Sequence, residues 1–383
     1  MAKGAYIGIA GKARKIKKGY IGVAGKARKI KKAYIGIGGV ARPCWAGGKL
    51  TYYGAITPLS RARRFLEAAT VGNYALFGGG YEGGSDADYL SIVDAYDTSL
   101  TRTTVTALSQ ARRDLAATTI GDYALFGGGA RSLGDSNVVD AYDTSLTRTT
   151  PTALGQARNK LAAATVGNHA LFGGGLSSRD YSGNVDAYDV SLTRTSITRL
   201  STGRSRLAAT TVGNYAIFGG GATSSASSGV NATVNAYDAS LTRTTPTALS
   251  EKRRELAAAS VGNHALFGGG YGNYIGSNGN NLVGAVDYVD AYDGSLTRTT
   301  PAALSTRRQQ LPATTLENYA LFGGLEVVDA YDESLTRTTP TTQSQGQPNS
   351  AATTVSDYAL FGGGGGYNNS NGAYEEVDAF TLV

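Results

Sequence analysis

The fold this sequence predicts is all-β: a seven-bladed β-propeller preceded by a short basic β-repeat arm. Three observations predict it. Two short strings recur in seven units through the body. The spacing between them is fixed in one direction and variable in the other. The two ends of the array carry complementary fragments of one unit.

The first string is Ala-Leu-Phe-Gly-Gly, with its Phe at 77, 126, 172, 218 (as Ala-Ile-Phe), 267, 322 and 361. The second is Asp-Ala-Tyr-Asp, with its Tyr at 96, 142, 188, 237 (as Asn-Ala-Tyr-Asp), 292 and 331; Phe380 holds that place at the end. From each Tyr to the next Phe the interval is 30 residues in all six cases. From each Phe to the following aromatic it is 19, 16, 16, 19, 25, 9 and 19. Length variation is confined to one connection per unit, which a surface loop permits and a packed scaffold does not.

Each unit reads as four strands. In the second unit these are 115–120, 123–127, 138–142 and a more polar 147–152, with turns at Gly121-Asp122 and Asp143-Thr144-Ser145. The glycine pair after each Phe admits close backbone approach and positive φ. Four strands repeated seven times read as a propeller. A solenoid is the runner-up, but it would need capping units and none is visible. The seventh unit passes through Phe361 and Phe380 and reaches Val383 without a fourth strand. At the other end, 55–60 (Ala-Ile-Thr-Pro-Leu-Ser) aligns with 104–109 (Thr-Val-Thr-Ala-Leu-Ser). The N-terminal strand is therefore expected to complete the last unit and close the ring, removing two exposed sheet edges.

Composition agrees. The 53 glycines follow no Gly-X-Y period, which excludes collagen, and 24 Tyr against 9 Phe suits strands and turns. The single Cys44 cannot form an internal disulfide. The start lacks a signal-peptide core, and no stretch approaches the roughly 20 apolar residues of a membrane helix, so membrane insertion is not expected. The net charge of +7 is unevenly distributed. Residues 1–48 hold 12 Lys/Arg and no Asp/Glu, leaving 24 basic against 29 acidic residues in the remainder. The arm is basic and the body mildly acidic, so a whole-chain charge argument for nucleic-acid binding misleads.

Phe126-Gly127-Gly128, Tyr142-Asp143, and Arg158 ahead of Leu161-Ala162-Ala163 resemble the units of the kelch family, and the resemblance covers residues 50–383. One departure is that kelch units usually carry a Trp after the Tyr-Asp hairpin, where this chain reads Ser-Leu-Thr-Arg. Leu100, Leu146 and Leu192 are candidates for that packing site. Some kelch-like propellers are oxidases whose copper is held by Tyr and His. Here His169 and His264 merely occupy the slot of Tyr74, Tyr123, Tyr215, Tyr319 and Tyr358, and two histidines in non-adjacent units do not cluster as a metal site requires. No metal or cofactor is expected.

The repeated carboxylates of Asp-Ala-Tyr-Asp read as architecture, the second Asp accepting N–H groups of the following turn. A glycosidase needs one matched pair in one cleft, and calcium binding is a minor alternative. A basic residue recurs in the linker to each first strand: Arg63, Arg112, Arg158, Arg204, Arg253 and Arg308, with Gln347 in the seventh unit. Arginines that bond neighbouring carbonyls are the plainer reading; a positive ring able to hold an anionic sugar is the sharper one. The Gly-Gly-Gly runs are not phosphate loops, since no Lys-Ser/Thr follows them. The variable loops are rich in Tyr, Ser, Gly and Asn, a palette of rigid rings and adaptable polar groups suited to binding. Tyr81, Tyr89, Arg131, Tyr181, Tyr271, Tyr274, Tyr367 and Tyr374 are the candidate ligand contacts.

Residues 5–45 repeat with a 14-residue period, Ala5-Tyr6-Ile7-Gly8-Ile9-Ala10-Gly11-Lys12-Ala13-Arg14-Lys15-Ile16-Lys17-Lys18 recurring from Gly19 to Lys32. A third copy starts at Ala33 and breaks at Pro43-Cys44-Trp45. Alternation puts Ile7, Ile9 and Ile16 on one side with Gly-Lys at the tight turn, a hairpin meander. Thin hairpins are marginal alone and need a partner or another copy. The Tyr-Ile-Gly-Val/Ile-x-Gly-x-Ala-Arg-Lys repeats resemble N-terminal segments of virion and tail-associated proteins of phages of Gram-positive bacteria. That resemblance implies docking on virion or tail proteins, or homo-oligomerisation, through Tyr6, Ile7, Ile9, Arg14, Tyr20, Ile21, Arg28, Tyr34 and Ile35.

The functional expectation is a virion-associated binding protein of a phage or prophage, assembled in the bacterial cytoplasm and not an enzyme. Its loops would take a host-surface ligand, a glycan foremost. The alternatives are a glycan-active enzyme using loop carboxylates such as Glu82, Asp86 or Glu375, and an intracellular kelch-type protein–protein adaptor.

Overall fold

A computed structural model describes the backbone of 6–9, 12–15, 19–23, 26–30, 32–37 and 40–46, and all atoms of 49–84, 88–178, 180–276, 279–340, 342–366 and 372–383. Among the described residues there is no helix beyond single-residue turns, and no helix long and apolar enough to cross a membrane. By contacts the chain divides into two compact units, one of Met1–Thr51 with Thr381–Val383 and one of Tyr52–Phe380.

In the first unit the arm forms three antiparallel hairpins: Tyr6–Ile9 with Lys12–Lys15, Gly19–Val23 with Lys26–Ile30, and Lys32–Ile37 with Val40–Ala46. They are three separate two-stranded sheets rather than a continuous meander. Lys12 lies in the ladder opposite Ile9, not in the turn, and Pro43 stands within a strand, opposite Tyr34, instead of ending one.

The large unit is a set of four-stranded antiparallel sheets of the β-propeller type. The second comprises Ala116–Ile120, Tyr123–Gly127, Val139–Asp143 and Arg148–Thr149, paired in that order. Seven such sheets occur among the described residues. The polar fourth strand is shorter than its composition suggests. The seventh sheet takes its fourth strand from Leu50–Ile56. That strand ends where Pro58 approaches, so the expected 55–60 segment contributes only its beginning.

Two devices join successive sheets. In six units the Phe meets the unit's Tyr edge-on, as in Phe126–Tyr142 at 6.0 Å between ring centroids, and in the seventh Phe361 meets Phe380. The ring also lies over the first glycine of the preceding unit. A Cβ on Gly127 would stand 2.7 Å from Phe172 Cε1, and one on Gly362 would stand 3.0 Å from Phe77 Cε1, so the seat recurs from the last unit to the first. Only a residue without a side chain fits there.

The second device is a belt of backbone hydrogen bonds between linkers. Asp114 N donates to Phe65 O, Lys160 N to Asp114 O, Arg206 N to Lys160 O, Glu255 N to Arg206 O, Gln310 N to Glu255 O, and Asn349 N to Gln310 O. Phe65 N then donates to Asn349 O, at 2.9 Å, which returns the cycle to its start. All seven residues have positive φ, from 51° to 60°, and none is glycine. Such backbone costs of order 1–3 kcal/mol each and persists only where the surroundings impose it.

Candidate functional site

The six linker arginines do not form an exposed ring. Arg63, Arg112, Arg158, Arg204, Arg253 and Arg308 are each 0% exposed. The guanidinium donates to the carbonyl of its unit's Phe, as Arg112 Nη2 does to Phe126 O at 3.0 Å. It also pairs with the first carboxylate of Asp-Ala-Tyr-Asp: Arg63–Asp94 at 2.8 Å, Arg112–Asp140 at 2.6 Å, Arg158–Asp186 and Arg253–Asp290 at 2.7 Å, and Arg308–Asp329. A charge so enclosed needs this partner and has none to spare for a ligand.

The second Asp behaves as its turn position predicts. Asp143 Oδ1 accepts from Ser145 N and Thr147 N, both at 2.9 Å. This clamp holds Leu146 at φ 62°, and Leu146 packs on the core of its neighbours, the role considered for the missing Trp. The Tyr hydroxyl donates to a linker carbonyl, Tyr142 to Thr106 O at 2.7 Å, and burial raises its pKa. His169 and His264 stand half-buried in the second strands, in the register of the tyrosines elsewhere.

The variable loops lie against the linkers through short bridges: Arg64 with Tyr81, Arg113 with Ala130, Asn159 with Leu176, and Ser205 with Ala222. The structure brings four of the candidate tyrosines onto arginines. Tyr81 and Tyr89 meet at 5.3 Å. The Arg113 guanidinium lies 4.7 Å from the Tyr81 ring centre, 5.4 Å from Tyr89 and 5.3 Å from Phe65. Arg64 approaches Phe65 and Tyr81 from its own unit at 5.5 and 5.7 Å. Burial, with Arg113 nearby, lowers the Arg64 pKa. In the fifth unit the long connection is a hairpin, Tyr271–Ile275 with Asn281–Ala285. There Tyr271 carries Arg254 at 4.8 Å and Tyr274 carries Arg307 at 4.0 Å.

The other candidates stand apart from this set. Arg131 reaches only its own hairpin, at Asp135 O. Tyr181 is half-buried in a short strand pair, and Tyr374 serves the linker through its carbonyl, which accepts from Arg63 N. Tyr367 and Asp86 lie outside the described residues, as do the side chains of the arm candidates Tyr6 to Ile35. Glu82 pairs with Arg61, and Glu375 is exposed.

Sequence reasoning missed a cavity among the linkers. It measures about 270 Å³ and is lined by the seven belt residues, a collar of leucines that includes Leu115 and Leu161, and Arg113 and Glu67. Deeper along the first strands the walls become alanine and then threonine. The threonine hydroxyls bond the neighbouring strand, as Thr119 Oγ1 donates to Thr70 O at 2.6 Å. Glu67 faces this space where five units have Ala and one has Pro. Burial, reinforced by Asp114, pushes its carboxyl up to about 8. The signal was available: aligning the units places Glu67 opposite Ala116, Ala162 and Ala208, and puts the belt side chains in one column.

No family model matches the chain, and no curated protein matches it. Among solved structures it is similar to one titled "Structure of YjhT", with a TM-score of 0.57 and 13% identity over 74% of this chain and 98% of the other. That likeness concerns the fold alone, and it agrees with the β-propeller class that the sheets define.

Proposed function

We propose that the body is a kelch-like seven-bladed propeller closed by the strand Leu50–Ile56, and that it is the ligand-binding part of a virion-associated protein of a phage or prophage. Its loop face would take a host-surface glycan, and residues 1–48 would dock it on tail or virion proteins. The observation that carries the binding role is the pairing of tyrosine with arginine in the connections whose length varies: Tyr81 with Arg113, Tyr271 with Arg254, Tyr274 with Arg307. Rings held flat by cations present rigid apolar faces to a sugar at little entropic cost. The closed ring is supported by the returning belt, by the Gly362–Phe77 seat and by the fourth strand of the seventh sheet. The docking role rests on the arm's repeats and charge.

An enzymatic role is favoured by one feature, the neutral-leaning Glu67 carboxyl beside Asp114 in a cavity. A glycan array probed with the full chain, followed by product analysis of every bound glycan, separates the two. Binding without product is expected. Turnover of a bound glycan overturns the binding-only reading, and an array with no hits overturns the glycan.

A further inference from the structure

Six charged side chains line the cavity among the linkers: Glu67, Asp114 and Glu255 against Arg113, Lys160 and Arg206. They do not cancel uniformly. Arg206 Nη1 is bound to Glu255 Oε1 at 2.6 Å. Arg113 meets Asp114 only through Nε, at 3.8 Å, beyond hydrogen-bond reach. Its Nε has no hydrogen-bond partner and its guanidinium is held instead by rings. Lys160 has no carboxylate within ion-pair distance among the described residues. Burial keeps Glu67 largely protonated near neutrality. With Asp114 and Glu255 counted against the three cations, one net positive charge remains, on the side of Arg113 and Lys160 on adjacent units. Opposite stand the neutral polar groups of Gln310, Asn349 and Ser350, with Phe65 as a half-buried ring at the rim.

We infer that this cavity takes the carboxylate of an acidic sugar, held by the Arg113 guanidinium and the Lys160 ammonium. The inference deepens the glycan reading of the loop face and rests on it for the sugar, while the anion rests on the cavity itself. The space matches a single ring, since cavities for drug-sized ligands run from roughly 300 Å³ upward. Arg113 supplies a planar fork suited to a carboxylate, and Lys160 a point charge. Phe65 offers an apolar face to the ring, while Gln310 and Asn349 offer amides to its hydroxyls. The belt's imposed φ values fix the Cα–Cβ directions of Lys160, Gln310 and Asn349 before any ligand arrives.

The test uses the full-length chain and isothermal titration with glucuronate, glucose and inorganic phosphate, on the native protein and on Arg113→Gln and Lys160→Gln. Both substitutions have precedents in this chain, because the sixth unit carries Gln309 and Gln310 at these positions, so both variants should fold. Glucuronate is expected to bind, glucose to bind at least tenfold more weakly, and each variant to weaken glucuronate at least tenfold while still unfolding cooperatively. Equal affinity for glucose, indifference to both substitutions, or no binding of glucuronate overturns the inference. Phosphate binding as tightly as glucuronate overturns the sugar component. Array glycans bound independently of Arg113 and Lys160 would leave the broader glycan reading standing, whereas glucuronate binding with an empty array would sink that reading alone.

Discussion

Asn235 stands where the five other units with a linker arginine have the carboxylate that neutralises it. Arg204 is as buried as its counterparts, but its Nη2 meets only the Asn235 amide oxygen, at 3.1 Å, and the Phe218 carbonyl. Burial lowers its pKa with no carboxylate to oppose the shift. Asn235→Asp would restore the charge-assisted bond within an unchanged shape, and is expected to stabilise the protein by about 1–3 kcal/mol, read from the urea unfolding midpoint. The reverse change, Asp186→Asn, strands Arg158 and is expected to cost about 3–5 kcal/mol; equal midpoints for both variants would refute this account of the linkers. Glu67 makes a second prediction, with a pH dependence. Its folded pKa lies above the unfolded value, so the native state binds the extra proton. Its stabilising contribution is complete below about pH 4 and is lost as pH rises towards about 8. Asp114, Arg113 and Lys160 line the same cavity. Glu67→Ala, which copies the residue of five other units, should leave the melting temperature near its native value at pH 5 and raise it by a few degrees at pH 9. A constant difference across that range would exclude Glu67 as the titrating group.

At the scale of strands and turns, the 30-residue interval and the glycine pairs were enough to locate the sheets, because period and turn chemistry are local properties. The buried ion pairs were not legible. Each Asp-Ala-Tyr-Asp carboxylate precedes the next unit's arginine by a constant 18 residues, yet it binds the arginine of its own unit across the variable loop. That separation changes from 31 in Arg63–Asp94 to 21 in Arg308–Asp329, so the constant spacing pointed to the wrong partner. The belt's column is visible once the units are aligned, but its role is not: Phe, Asp, Lys, Arg, Glu, Gln and Asn share no chemistry, only a backbone conformation. The glycines can be ranked from their surroundings. A Cβ at Gly128 would lie 2.7 Å from the Arg158 carbonyl oxygen at φ +69°, one at Gly127 would press on the Phe172 ring, and one at Gly134, at φ +97°, would meet nothing within 4 Å. Gly128→Ala combines positive φ with a rigid clash and is expected to cost most. Gly127→Ala should cost about 1–3 kcal/mol, and Gly134→Ala about 1 kcal/mol, for backbone conformation alone. Unfolding midpoints test this order, and a Gly134→Ala loss matching that of Gly128→Ala would contradict it.

For the whole molecule, the decisive boundary is the start of the strand Leu50–Ile56. Its Tyr52 hydroxyl donates to Asp378 Oδ1 at 2.7 Å, and burial together with that bond pushes the phenol up to about 12. Tyr52 also packs on Phe380, at 5.4 Å, and Tyr53 meets Tyr358 edge-on at 5.0 Å. In this unit Gln347 replaces the linker arginine, and Asp378 is satisfied by Tyr52 and by Ser344 instead. The strand therefore supplies both a sheet edge and the partner of a buried carboxylate. Removing residues 1–48 leaves these groups intact, and the shortened protein should melt cooperatively within a few degrees of the full chain. Removing residues 1–57 exposes the third strand of the seventh sheet, uncovers Phe380 and leaves Asp378 without its phenol. Loss of a hydrogen bond to a charged group costs about 1.5–3 kcal/mol, and the sheet edge and the cover of Phe380 are lost with it, so that protein should unfold far earlier or associate through the opened edge. The two truncations, compared by calorimetry and by light scattering, test the nine residues 49–57 for the stabilising role of this strand. If both melt alike, the contact of the first and last units does not depend on Leu50–Ile56, and the linker hydrogen bonds together with the Gly362–Phe77 seat suffice to hold it.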